Sequence, residues 1–146
     1  MPDIRFVYDE PLERTMEFEA AYPAQLQMSL SAKRALRRTP GAIYAWMYLG
    51  GRLAGEAYGV PMKGFSGQME GRELLIGSVD DAFYCFSNTV MAEFRGIGVG
   101  TLLKAHWLGL VAGAGYHTVY GHARPGASQA LNASFGARFL SDFADW

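Results

Sequence analysis

The stretch EFRGIGVGTLLKAHW, residues 93–107, limits the fold more than any other part of the chain. Gly96, Gly98 and Gly100 stand at alternate positions, an arginine precedes them and an apolar helical pattern follows. Residues 83–91, just before it, have the length, the aromatic start and the β-branched Thr89 and Val90 of a strand. Residues 101–114, after it, read as a helix that Gly113 and Gly115 end. Val99, Leu102, Leu103, His106, Leu110 and Val111 form its broad apolar stripe. The unit is strand, tight glycine turn, helix. Glycines remove the Cβ atoms that keep a backbone away from a ligand.

Two familiar phosphate-binding loops do not fit this turn. A dinucleotide loop needs G-x-G-x-x-G with its first glycine closing a buried strand. The spacing here is G-x-G-x-G, and Glu93 and Arg95 separate it from the strand. A P-loop needs Gly-Lys-Ser/Thr, whereas Gly100 is followed by Thr101 and Leu102. What remains is a helix start whose first N–H groups lack intrahelical partners. With the macrodipole these suit an anion such as pyrophosphate, and Arg95 adds a positive charge beside them.

The rest of the chain supplies the setting. Residues 4–8 alternate apolar and polar side chains as a strand does. Asp9, Glu10 and Pro11 read as a helix start, residues 12–22 as a first helix closed by Pro23, and residues 25–38 as a second, stopped by Thr39-Pro40-Gly41. Residues 42–49 and 52–62 read as a hairpin around Gly50-Gly51. Gly55 and Gly59 weaken the returning strand or mark bulges in it. Residues 63–71 read as a loop, 73–76 as a short strand, 118–123 as a strand and 126–135 as a short helix with Gly136 at its left-handed cap. Residues 138–146 leave room for one last strand. The order β-α-α-β-β-β-α-β-α-β predicts one α/β (α+β) domain over residues 1–146, with a mixed sheet of about six strands flanked by helices on both faces.

Composition excludes several classes. Half of the 146 residues are hydrophobic and 14% are aromatic, which argues against disorder. A net charge of −1 lacks the basic excess of a nucleic-acid binder. No run approaches the roughly 18 apolar residues of a membrane span, and the start MPDIRFVYDEP lacks a basic leader followed by an apolar run. Cys85 is the single cysteine, so no internal disulfide is expected. The expected setting is the cytoplasm. No spacing among His106, His117 and His122 suggests a metal site.

The segment VMAEFRGIGVGTLL resembles motif A of the GNAT superfamily of acyl-CoA-dependent N-acyltransferases. The family pattern Gln/Arg-x-x-Gly-x-Gly/Ala is met in full by Arg95, Gly96, Ile97, Gly98, Val99 and Gly100, with Val90 at the matching upstream position. RPGASQALNASFGA is similar to the family's motif B helix through Ser128, Leu131 and Gly136, and the element order follows the family along nearly the whole chain. The resemblance implies acetyl-CoA as co-substrate and no metal. It implies pyrophosphate contacts from Arg95, Gly96, Ile97, Gly98, Val99, Gly100 and Thr101 and a pantetheine arm along Val90 and Met91, while Ser128 reads as a helix-start contact to the cofactor or simply as a cap. Three positions depart from the pattern. Pro125 replaces the frequent motif B asparagine, Asn132 stands where the acidic tyrosine is often found, and only residues 137–146 follow the last helix. A homodimer partner could cover the sheet edge left there.

The implied reaction moves an acyl group directly to a primary amine of a small molecule or a protein. It needs a neutral amine, a polarised thioester carbonyl and a protonated leaving thiolate. A backbone N–H near Val90 is expected to hold the carbonyl. Glu56, in GEAYG, is a candidate base acting through water or else an edge-strand charge facing solvent. His122 is a candidate base, with an ordinary pKa near neutrality, or a structural histidine. Tyr84 and Tyr120 are candidate acids or wall residues. Met16, Tyr22, Met28 and Met47 would line the acceptor side, or fill the core. Lys33, Arg34, Arg37 and Arg38 read as a solvated basic helix end or as an attractor for an anionic group. Two other readings stay open: a non-catalytic acyl-CoA-binding or sensing module, and a structural domain that kept the fold and lost the site.

Overall fold

Gly50 and Gly51 have φ of 58° and 81°, the pair of positive values that a tight two-residue hairpin turn requires. They join β2 (Ile43–Leu49) to β3 (Arg52–Pro61), the centre of the sheet. The computed structural model describes residues 3–64, 79–121 and 127–137. Within these lie three further strands, β1 (Ile4–Val7), β4 (Ala82–Val90) and β5 (Thr118–Gly121), and three α-helices, α1 (Leu30–Arg37), α2 (Val99–Gly113) and α3 (Ala127–Ser134). The five described strands form one sheet in chain order. Pairing is antiparallel from β1 to β4 and parallel between β4 and β5. The short strand expected at 73–76 and the last strand expected at 138–146 lie outside the described residues.

One face of the sheet is covered by α2. Val99, Leu103, Trp107 and Val111 recur every four residues along it and pack on Ala45, Met47, Ala57 and Phe83. Trp107 belongs to this stripe, whereas Leu102, which the sequence pattern included, is 45% exposed. Gly59 is the seat for Trp107. A Cβ there would lie 2.9 Å from Trp107 Cζ2 and 2.1 Å from the Tyr84 carbonyl oxygen. Gly59 also sits where the β3–β4 register shifts. Tyr58 pairs with Ser87 and Gly59 with Cys85, so Phe86 is an extra residue in β4, a β-bulge.

The other face is covered by residues 12–38. The first expected helix is a 3-10 helix, Leu12–Ala21, rather than an α-helix. Leu12, Thr15 and Phe18 are buried at every third position, which matches the three residues per turn of that helix. Thr15 Oγ1 donates back to the Leu12 carbonyl at 2.8 Å and reinforces the tighter winding. The second expected helix is divided. A short 3-10 turn, Ala24–Leu26, comes first, and α1 starts only at Leu30, where Ser29 caps it by accepting from the Ala32 N–H at 3.1 Å. Leu12, Phe18, Tyr44, Trp46 and Tyr58 form the core beneath.

Candidate active site

Among the described residues, the parallel β4–β5 ladder runs from the pair Ala82 and Thr118 to the pair Cys85 and Gly121, and β4 continues to Val90 paired with β3. Among the described residues, no strand lies on the side of β4 away from β3 from Phe86 onward. The Met91 N–H donates to the Ala54 carbonyl at 2.9 Å, on the β3 side. Peptide groups alternate in direction along a strand, so the N–H and C=O of Val90 point the other way, away from β3. Arg95 Nε donates to the Val90 carbonyl at 3.1 Å, and the Val90 N–H lies on the same side of the strand. The Met91 N–H is engaged inside the sheet.

After β4 a short 3-10 helix, Ala92–Phe94, leads to the glycine turn. Gly96 and Gly98 have φ of 80° and 88°, a left-handed conformation that a side chain resists. Added Cβ atoms there would meet nothing within 4 Å, so the conformation, not crowding, calls for glycine. Gly98 is the N-cap of α2 and offers no side chain to cap it. Among the described residues, the N–H groups from Gly96 to Thr101 have no hydrogen-bond acceptor. Ile97 is 65% exposed. At Gly100 a Cβ would lie 3.5 Å from Val90 and 3.8 Å from Leu131, so β4, α2 and α3 converge on the turn. The turn is a cluster of outward N–H groups at the positive end of a helix, a fit to the diphosphate of coenzyme A.

On the face covered by residues 12–38, Glu56 occupies neither of its two expected settings. β3 is an interior strand and Glu56 is fully buried. Lys33 Nζ reaches both its oxygens at 3.0 Å, and Trp46 Nε1 donates to Oε2 at 2.8 Å. Lys33 also donates to Thr15 Oγ1 at 3.0 Å and lies 3.3 Å from Glu19. Burial pushes the Glu56 carboxyl above its ordinary range despite the Lys33 charge. Lys33 is thus a buried ion-pair partner rather than part of a solvated basic helix end. Arg34 and Arg38 are exposed, and Arg34 pairs with Glu13.

Above β4 lies a group of hydroxyls. Tyr22 Oη is 2.7 Å from Thr89 Oγ1 and 3.2 Å from Ser87 Oγ, and the latter two are 2.9 Å apart. Burial pushes the Tyr22 phenol up. Tyr84 is buried beside Met62 and Ala82 and meets Phe86 edge-on at 4.8 Å. Met47 is in the core under α2, away from Tyr22 and Met28, which lie with the covering segment. Met16 is half-buried in the first 3-10 helix. His106 stacks on Phe6 at 3.7 Å and meets Tyr8 at 2.7 Å, near the far edge of the sheet. Asn132 is half-buried on α3, and Gly136 has the expected left-handed φ of 81°. His122, Pro125 and the side chain of Ser128 lie outside the described residues.

Sequence reasoning missed Ser87, Glu19 and the buried role of Lys33. The bulge at Phe86, which turns Ser87 toward Tyr22, leaves no mark in the residue pattern. The serine at position 29 before the run LSAKRALR did carry a usable capping signal.

No protein-family model matches the chain, and no curated protein matches it in sequence. Solved structures match it along nearly its full length. Aminoglycoside N-acetyltransferase AAC(6')-Iy in complex with CoA is 17% identical with a TM-score of 0.69, covering 98% of this chain and 91% of that one. AAC(6')-Iy with the bisubstrate analogue CoA-S-monomethyl-acetylneamine is 13% identical with a TM-score of 0.70, covering 97% and 95%. An acetyltransferase of Trypanosoma brucei is 16% identical with a TM-score of 0.65, covering 97% and 96%. The chain has the fold of these GNAT acetyltransferases, as the glycine turn implied.

Proposed function

We infer that this chain, built on the GNAT fold, is an N-acyltransferase that moves an acetyl group from acetyl-CoA directly to a primary amine. One observation carries the reading: among the described residues, β4 continues past its β5 pairing and leads, through the short 3-10 helix Ala92–Phe94, to a glycine turn whose N–H groups have no hydrogen-bond acceptor. The diphosphate sits on the N–H groups of Gly96 to Thr101, with Arg95 beside it. The pantetheine arm lies along β4, and the Val90 N–H polarises the thioester carbonyl where negative charge develops. That AAC(6')-Iy, which shares the fold, was solved with CoA and with a CoA bisubstrate analogue supports coenzyme A as the ligand and suggests a cationic amine as acceptor.

The amine attacks the thioester carbon as the free base. The C–N bond forms, the C–S bond breaks, and coenzyme A leaves as a thiol once its sulfur takes a proton. Glu56 is a structural ion rather than a base in this reading, because its two oxygens are engaged by Lys33 and Trp46.

Calorimetric titration with acetyl-CoA tests the cofactor step. Absence of binding at millimolar concentration overturns the reading. Asn132 at the customary acid position keeps a second reading in view, a module that binds acyl-CoA without turning it over. Amine-dependent release of free thiol from acetyl-CoA separates the two.

A further inference from the structure

The acyltransferase reading leaves one chemical requirement without a residue, the proton for the departing sulfur. Asn132 is a poor donor for it, because a neutral amide does not give up a proton at neutral pH. Among the described residues, the stretch of β4 beyond its pairing with β5 carries two hydroxyls, Ser87 and Thr89. The extra residue Phe86 shifts the alternation of side chains, so that both face the covering segment. There they meet Tyr22, and the three oxygens form a triangle with sides of 2.7, 2.9 and 3.2 Å. Ser87 and Thr89 are 4% and 7% exposed, and Tyr22 is half-buried.

Each hydroxyl is both a donor and an acceptor. A triangle of them can take in a proton at one corner and release one at another by rotation of the O–H bonds. The phenol is also held in place. Gln27 Nε2 donates to the Tyr22 carbonyl at 3.0 Å, and the Met28 N–H donates to Glu19 Oε1 at 2.7 Å, which ties the two ends of this segment together. Glu19 is anchored in turn to Lys33. Ordering a side chain before substrate arrives removes that entropy cost from the reaction step.

We propose that Tyr22 is the proton carrier of the acyl transfer, working with Thr89 and Ser87. The Tyr22 O–H gives its proton to the coenzyme A sulfur as the C–S bond breaks. The phenolic oxygen recovers a proton through Thr89 and Ser87 from the nitrogen that has just formed the C–N bond. The protein ends unchanged, with amide and thiol as products. Burial keeps the phenol neutral at physiological pH, so it acts as a relay and not as a stored anion.

The proposal rests on the acyltransferase reading, and its test separates the two. Thiol release from acetyl-CoA is measured with hydroxylamine, a nucleophile small enough to need no acceptor pocket and neutral at pH 7. Coenzyme A binding is followed in parallel by calorimetry. Wild-type protein that neither binds coenzyme A nor releases thiol overturns the acyltransferase reading itself. With active wild type, Tyr22→Phe lowers kcat by about a hundredfold, while KM for acetyl-CoA and the affinity for coenzyme A stay within twofold. A kcat within threefold of wild type overturns the relay, and so does a loss of kcat matched by an equal loss of coenzyme A affinity, which marks Tyr22 as a wall residue. Thr89→Val keeps the shape and removes one hydroxyl. It lowers kcat with KM unchanged, and it decides the question if Tyr22→Phe does not fold: wild-type kcat in Thr89→Val then overturns the relay.

Discussion

Lys33 Nζ lies 3.0 Å from each carboxylate oxygen of Glu56, and neither side chain exposes any surface. This pair ties α1 to the middle of β3, and through Glu19 and Thr15 it also holds the 3-10 helix that leads to Tyr22. A buried ion pair need not be more stable than an apolar pair of similar shape, but removing one partner strands the other. Lys33→Met leaves Glu56 and Glu19 buried without their cation. The expected loss is about 3–5 kcal/mol, read as a lower urea midpoint at an unchanged m-value. A loss below about 1 kcal/mol, the range of exposed pairs, contradicts the anchoring role.

The same pair sets a pH dependence. An unfolded glutamate titrates near about 4.3, and burial raises Glu56 above that in the folded chain. Between the two values the folded state holds a proton that the unfolded state has released. Stability from this group is therefore full below the unfolded value, falls as pH rises through the window and levels off above the folded value. Glu56→Gln removes the group and flattens that part of the profile. Urea midpoints taken at intervals from pH 4 to neutrality, for wild type and variant, provide the measurement. Parallel profiles rule out a raised Glu56.

At the glycine turn the prediction separates binding from folding. Gly98→Val forces a β-branched side chain into a φ of 88° with free space around it. The backbone strain is about 1–2 kcal/mol, too little to unfold a domain that retains both faces of its core. The N–H groups it displaces are those proposed for the diphosphate. Coenzyme A affinity falls at least tenfold while far-UV circular dichroism stays the same. Unchanged affinity in a folded variant means that the diphosphate sits elsewhere.

What could be read from the sequence was what local geometry dictates. Gly50-Gly51, the turn at Gly96 to Gly100 and the cap at Gly136 were legible because positive φ leaves few residue choices. The strand and helix around that turn were legible from their periodicity, and with them the fold. The Lys33–Glu56 pair was not, since it joins residues 23 positions apart and each looks like an ordinary surface charge. The 3-10 winding at Leu12–Ala21 was hidden because helical spacing fits either form over a short run. The hydroxyl triangle depends on a single extra residue, Phe86, whose effect is to reverse the faces of its neighbours. Tertiary contacts and register shifts carry no local code.

Asn88 gives the last prediction, because among the described residues neither its Nδ2 nor its Oδ1 has a hydrogen-bond partner although both are buried. It follows Ser87 on β4, opposite Ala57. Each unsatisfied buried polar group costs about 1–3 kcal/mol. Leucine has nearly the same shape and no polar atoms to strand. Asn88→Leu is therefore expected to stabilise the protein by about 1 kcal/mol, a rise in Tm of roughly 2–4 °C for a chain of this size. Asn88→Ala also removes the polar atoms but leaves a void beside the sheet, so it gains less than leucine. A lower Tm in Asn88→Leu, measured without ligand by calorimetry, would mean that the amide is satisfied by an internal water and that the polar group at this site stabilises the fold.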